Sequence, residues 1–223
     1  RRQSRRRRQR SGLPTVSLVG YTNAGKSTLS NALVGEATIY AADQLFATLD
    51  PTTRRIQLTS GRQALISDTV GFIQRLPTEL VAAFRATLEE VLEADLLLHV
   101  IDLSHPAAID QAETVERVLG ELGLEPPPMV VAVNKIDRVV EAETWRGLRR
   151  SGDGAALIDA LEDVPRWAHL TARYPDAVPI CAAEGIGLDA LRDALDEALR
   201  GGLVPAELLI PSSAGELLPR GER

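Results

Sequence analysis

Short apolar runs alternate along this chain with stretches of helical period. Thr15–Val19 (TVSLV), Leu96–Ile101 (LLLHVI) and Met129–Val133 (MVVAV) predict strands, the last opened by Pro126-Pro127-Pro128. The central runs are continuously apolar, as burial on both faces of a sheet requires. Arg54–Thr59 and Gln63–Ser67, joined by Ser60-Gly61-Arg62, predict a hairpin with a glycine-containing turn. Helices are expected from about Ser27 to Leu33, Thr78 to Glu93 (Leu80, Phe84, Leu88 and Val91–Leu92 on one face) and Pro106 to Leu122. Val178–Cys181 predicts a last short strand, and Leu188–Leu199 an amphipathic helix closed by Gly201-Gly202. Residues 36–53 show no sustained period and read as a long loop. Residues 138–175 are ambiguous, with two short helices expected around Gly152 and Gly154. No internal repeat is visible. The alternation predicts an α/β fold: a mostly parallel central sheet with helices on both faces.

Composition narrows this. The chain has 223 residues, 44% hydrophobic and a quarter charged, which is ordinary for a folded globular protein. Its net charge of −6 hides an asymmetry: seven of the first ten residues are arginine, and residues 11–223 carry 18 basic against 31 acidic side chains. A body this acidic has no broad attraction for polyphosphate, so nucleic-acid contact needs a local patch. Cys181 is the single cysteine, which forbids an internal disulfide and points to a reducing compartment. No apolar run approaches the roughly 18 residues of a membrane span, and the opening arginines do not lead into an export signal. A cytoplasmic monomer is the expectation.

The strongest chemical signal is Gly20-Tyr21-Thr22-Asn23-Ala24-Gly25-Lys26-Ser27, a match to G-x-x-x-x-G-K-[ST] after a strand and opening a helix, with Thr28 next. Loop N–H groups and the helix N-terminus cradle phosphate oxygens, and glycine is needed because side chains would block that approach. Lys26 supplies a point charge to the outer phosphates and the Ser27 hydroxyl ligates Mg²⁺. Asn134-Lys135-Ile136-Asp137 follows the MVVAV strand. The Asp137 carboxylate can accept both N1–H and the 2-amino group of guanine, and adenine offers no such pair of donors. Lys26 and Lys135 are the only lysines in the chain. Elsewhere basic charge is arginine, so both positions demand an ammonium.

Between these motifs, Asp68-Thr69-Val70-Gly71 ends the second hairpin strand, placing Asp68 to hold Mg²⁺ through water and the Gly71 N–H to sense the γ-phosphate. Cys181-Ala182-Ala183, after the last strand, is placed to touch guanine O6 through backbone N–H. His99 sits mid-strand in an apolar run and reads as a core histidine, and no zinc or triad pattern is present.

Together these residues resemble the translation-factor-related P-loop GTPases, with a G-domain fold. Gly12–Val19 into GYTNAGKSTLSNAL, Asp43–Arg55 (DQLFATLDPTTRR), DTVGFIQRLPTELVAAFRATLEE and LLLHVIDLS look like the HflX family. The resemblance is dense over residues 12–137 and looser over 178–218. It implies GTP hydrolysis on the large ribosomal subunit and its RNA, with splitting of stalled or idle ribosomes. In Phe46-Ala47-Thr48-Leu49-Asp50 it implies that Thr48 closes onto Mg²⁺, with Thr52 or Thr53 as alternatives. Asn23 matches the asparagine of GTPases that hold K⁺ beside the phosphates. Asn23, Lys26, Thr48 and Gly71 are therefore the expected catalytic set, and Ser27, Thr48 and Asp68 the metal set.

Where many GTPases place a glutamine that orients water, this chain has Phe72, so intrinsic hydrolysis should be slow. The family also carries an N-terminal ribosome-contacting domain, and residues 1–12 match the Arg-rich end of its linker. Residues 13–200 are the expected G domain, with 138–175 longer than the family pattern, and 201–223 an extension. Two alternatives stand beside the GTPase switch. One is a nucleotide-gated RNA or ribosome docking module with incidental hydrolysis, the other a different assembly GTPase of the same class.

Overall fold

A computed structural model describes residues 12–34, 53–68, 91, 93–121, 127–151 and 154–201. Its elements are β1 (Thr15–Val19), α1 (Lys26–Val34), β2 (Thr53–Gln57), β3 (Gln63–Ser67), β4 (Leu96–Asp102), α2 (Ala108–Gly120), β5 (Met129–Asn134), a 3₁₀ turn (Ile136–Arg138), α3 (Ala142–Ser151), α4 (Gly154–Asp159), α5 (Pro165–Arg173), β6 (Val178–Pro179) and α6 (Leu188–Gly201). The six strands form one sheet in the order β2-β3-β1-β4-β5-β6. Only the β2–β3 pair is antiparallel; β1 pairs parallel with β3 and β4, and β4–β5 and β5–β6 are also parallel.

Side chains alternate across β4, and both sides are buried. Leu96, Leu98 and Val100 pack with Leu29 and Leu33 of α1 and Leu191, Leu195 and Leu199 of α6. On the other face Leu97 meets Val115 and Leu119 of α2, while Ile101 joins Trp145, Leu148, Leu157, Leu161, Trp167 and Leu170. Such two-sided burial is why β1, β4 and β5 read as continuous apolar runs. The expected mostly parallel, doubly covered sheet is therefore what forms.

The differences in detail have local causes. The first hairpin strand is Thr53–Gln57 rather than Arg54–Thr59, because the Leu58 N–H already turns back to the Arg62 carbonyl at 2.8 Å. Thr53 belongs to that strand and not to the preceding loop. The last strand is only Val178–Pro179, shorter than the expected Val178–Cys181. Ile180 N–H still reaches the Val133 carbonyl at 2.8 Å, but Cys181 then pairs across a tight turn with Ile186. Gly187, just past that turn, has φ +78°, and a Cβ there would lie 2.3 Å from the Pro179 carbonyl oxygen. Residues 138–175 contain three helices after the 3₁₀ turn, and their Trp145, Leu148, Leu157, Leu161, Trp167 and Leu170 pack with Ile101, Leu103, Val131 and Val133 in one of the hydrophobic clusters. Val91 is helical, as expected, and the 78–90 part of that helix lies outside the described residues, as do 1–11, 35–52 and 202–223. Among the described residues no helix is long and apolar enough to cross a membrane.

Candidate functional site

The C-terminal ends of β1, β4 and β5 and the turn after β6 gather at one edge of the parallel sheet, the usual ligand edge of such folds. The loop leaving β1 is compressed against the sheet. Gly20 has φ +150°, and a Cβ on it would sit 2.4 Å from the Val100 carbonyl oxygen of β4. Gly25 has φ +100°, and its Cβ would sit 2.3 Å from Asn134 Nδ2. Glycine is thus required twice, once by β4 and once by a side chain of β5. Asn23 is left-handed at φ +62°, a conformation asparagine tolerates better than most residues.

Lys26, the first residue of α1, is buried and donates from Nζ to the Gly20 and Tyr21 carbonyls at 3.0 and 2.9 Å. Burial lowers its pKa from the ordinary lysine value, and the Asp68 charge opposes that. An ammonium has three donors, so one remains for an incoming phosphate. Ser27 and Thr28 are exposed at the mouth of the loop. Asp68 lies just past β3, and its Oδ1 is buried with no hydrogen-bond partner. An orphaned carboxylate oxygen whose charge acts on the Lys26 ammonium suits a hydrated Mg²⁺.

The NKID segment is bonded directly into this loop. Asn134 Nδ2 donates to the Ala24 carbonyl at 2.8 Å, and its Oδ1 accepts from the Ala182 N–H at 3.0 Å. One buried amide therefore ties the phosphate loop to the turn after β6. Lys135 is left-handed at φ +64° and donates from Nζ to the Asn23 carbonyl at 2.6 Å and to Asp102 Oδ2 at 2.7 Å. Ile136 is buried beneath, leaving Asp137 half-buried with Oδ1 accepting from the Cys181 thiol at 3.2 Å. Burial first, and then this bond, push the thiol pKa up to about 12, so it stays protonated and serves as a donor.

The structure thus brings together Gly20 to Thr28, Asp68, Asn134 to Asp137 and Cys181 to Ala183. Phe46, Ala47, Thr48, Leu49, Asp50, Thr69, Val70, Gly71 and Phe72 lie outside the described residues. Of the backbone donors expected to reach guanine O6, the Ala182 N–H is engaged by the Asn134 side chain instead.

Motif reasoning does not single out Asp102. Burial opposes its charge, but hydrogen bonds from Lys135 and Ser104 outweigh that and hold its carboxyl below the usual carboxylate range. The signal in the sequence is a carboxylate ending a buried apolar strand, where a charge needs a partner. The thiol contact of Cys181 is equally invisible to motif reasoning, which uses only the backbone at that position.

The family model described as "50S ribosome-binding GTPase" matches residues 15–135, more than half the chain. The chain is 42% identical over 220 residues to the GTPase HflX of Escherichia coli strain K12, covering 99% of this chain and 46% of that protein. The chain belongs to this GTPase family, as an HflX-type G domain. A second HflX, from Caldanaerobacter subterraneus, is 56% identical over 133 residues, 60% of this chain and 31% of the relative. The chain spans less than half the length of these HflX relatives. Among solved structures, a GTP-binding protein from Sulfolobus solfataricus in complex with GDP superposes with TM-score 0.59 at 28% identity, covering 89% of this chain and 56% of that one. The HflX-type domain therefore shares its fold with a GDP-bound protein, and its phosphate loop and NKID segment stand together at the ligand edge of its own sheet.

Proposed function

We propose that this domain binds GTP with Mg²⁺, hydrolyses it slowly to GDP and phosphate, and serves as the switch of a protein that acts on the large ribosomal subunit. The observation that carries the nucleotide part is the direct bonding of Asn134 and Lys135 to the Ala24 and Asn23 carbonyls. A base reader and a phosphate cradle locked to each other bind the two ends of one nucleotide in register. Asp137, steadied by the Cys181 thiol, offers guanine a carboxylate acceptor and would be left desolvated and unpaired against adenine.

Ser27 and Asp68 fit a Mg²⁺ site, Asp68 through its orphaned Oδ1 and through water, with Thr48 as the switch threonine. Bound there, the metal would neutralise charge on the β- and γ-phosphates. Lys26 keeps one donor for the same oxygens, and the Gly71 N–H is the γ-phosphate sensor. With Phe72 in place of a water-orienting side chain, hydrolysis depends on a group supplied elsewhere: K⁺ held near Asn23, a switch rearrangement, or the ribosome. Equal rates in Na⁺ and K⁺ buffers would remove the first.

The ribosomal role, including splitting or rescue, draws on the family description and on the HflX relatives, of whose length this chain spans less than half. The domain is read as a cytoplasmic monomer. The test pairs two measurements. GTP and ATP affinities are compared in the wild type and in Asp137→Asn, where guanine preference should fall about a hundredfold. Ribosome pelleting is then run with GTP analogue, GDP and no nucleotide, using this chain and a version extended at its N-terminus. Selectivity untouched by Asp137→Asn refutes the base reading, and pelleting indifferent to nucleotide refutes the switch.

A further inference from the structure

Most arginines of the described fold are occupied. Arg62 and Arg200 bind Asp196, Arg117 binds Glu121, Arg173 binds Glu116 and Arg192 binds Asp189. The segment leaving the guanine-reading loop differs. Arg138, in the 3₁₀ turn next to Asp137, and Arg146 and Arg150, on α3, are exposed, and their side chains make no ion pair or hydrogen bond among the described residues. Arg149, between them, is more than half exposed and bridges to Glu184 at 2.8 Å, in the turn that follows Cys181-Ala182-Ala183.

Arg146, Arg149 and Arg150 stand at i, i+3 and i+4, so they share one face of α3 with neighbouring Cβ atoms about 5–6 Å apart. The opposite face is anchored, with Trp145 and Leu148 buried in the core beside Leu157, Leu161 and Trp167. Glu141 and Glu143 lie at the other end of the helix, where they suit its N-terminal dipole. Arg149 and Arg150 in the last turn suit the C-terminal end as well, but that contribution does not account for the exposed Arg138 and Arg146. In an acidic protein, unpaired arginines on a rigid helix are a local positive stripe against a negative field.

We infer that the Arg146/Arg149/Arg150 face of α3 is a docking surface for the phosphate backbone of duplex RNA, held against the nucleotide site by the Arg149–Glu184 bridge. The face selects among polyanions by what it lacks. Its tryptophan is buried, so α3 offers no exposed ring on which unpaired bases could stack. Trp145 and Leu148 point into the core, so α3 presents no large apolar side chain to enter a lipid surface. Fixed guanidinium groups without stacking partners suit paired strands, which are recognised largely through shape and phosphate contacts. The inference rests on the ribosomal reading for its choice of RNA. Its first test needs no ribosome, so the two can fail separately.

The experiment titrates the full chain with a short fluorescein-labelled duplex RNA at several salt concentrations. Arg146→Gln/Arg150→Gln should weaken binding about tenfold or more at low salt. The slope of log affinity against log salt should shrink by about 2, because each arginine replaced leaves one phosphate with its counterion. GDP affinity should stay unchanged, reporting an intact fold. A parallel variant replaces the seven arginines among residues 1–10 with glutamine. Duplex binding that vanishes in that variant while Arg146→Gln/Arg150→Gln binds like the wild type overturns the proposal. Overturning would also follow if the α3 change abolished binding to phosphatidylserine vesicles and left duplex binding intact.

Discussion

Lys135 and Asp102 form a salt bridge at 2.7 Å across the β4–β5 register, which pairs Asp102 with Asn134. The same ammonium holds the Asn23 carbonyl, so the end of β4 stabilises the phosphate loop at one remove. Asp102→Ala removes this support and leaves Lys135 with one partner. A hydrogen bond to a charged group contributes about 1.5–3 kcal/mol, so GDP affinity should fall about tenfold to a hundredfold. Titration with a fluorescent guanine nucleotide checks this. Unchanged affinity would mean that the Asn23 carbonyl alone suffices to hold Lys135.

Two glycines with positive φ separate backbone strain from site geometry. Gly25→Ala would place a methyl 2.3 Å from Asn134 Nδ2 and disrupt the amide that joins Ala24 to Ala182. Gly61→Ala meets nothing within 4 Å at its hairpin turn but keeps the left-handed penalty at φ +81°. Gly61→Ala should cost about 1 kcal/mol in denaturant unfolding with GDP affinity intact. Gly25→Ala should lose nucleotide binding outright, measured by calorimetry.

Asp196 on α6 is buried and receives the Ser60 N–H at 3.2 Å, Arg62 Nε at 3.0 Å and Arg200 at 2.8 Å. It joins the β2–β3 turn to the last helix. Burial opposes its charge, yet the Ser60 and Arg62 hydrogen bonds, with the Arg62 and Arg200 charges, lower its pKa from 3.8 to about 2. The folded value is depressed, so its stabilisation is complete above about pH 3.8 and is lost as pH falls toward 2. Asp196→Ala removes these bonds to the partly exposed Arg62 and Arg200 and should cost about 2 kcal/mol at neutral pH. Its deficit relative to the wild type should shrink in unfolding measurements through that acid window.

His99 lies on the β4 face that meets α2 and α5, buried, with Nδ1 lacking any hydrogen bond. Tyr174 approaches edge-on with ring centroids 6.3 Å apart, and Glu116 is the nearby carboxylate, itself engaged by Tyr174 and Arg173. Burial lowers the His99 pKa from 6.5 to about 4; the Glu116 charge opposes this and Lys26 reinforces it. The unfolded chain therefore takes up a proton that the fold excludes. The stability that neutral His99 permits is full above about pH 6.5 and is lost as pH falls toward 4, by about 3 kcal/mol in all. His99→Leu should flatten the pH dependence of urea unfolding across that interval.

The motifs of the candidate site were legible in the sequence, because each is contiguous. A phosphate loop is eight neighbouring residues whose spacing is set by the backbone approach they permit, and Asn134 to Asp137 follow one strand without a break. The buried strands were equally visible, since burial on two faces forces uninterrupted apolar runs. Residues 138–175 were legible only in part: the two short helices expected around Gly152 and Gly154 are α3 and α4, while nothing in the pattern marks α5. Their tryptophans and leucines are spread over three short helices, and no one of these has a period long enough to predict a packed core.

The sequence by itself therefore determined the fold class and the contiguous motifs of the candidate site. Tertiary structure decided what holds those parts in register: Asn134 between Ala24 and Ala182, Lys135 between Asn23 and Asp102, Cys181 against Asp137, and Asp196 on the hairpin turn. It also decided which arginines remain unpaired among the described residues. The physical reason is distance along the chain. Each of these contacts joins residues brought together by strand register and side-chain direction, and periodicity records which face a residue takes but not which partner waits there.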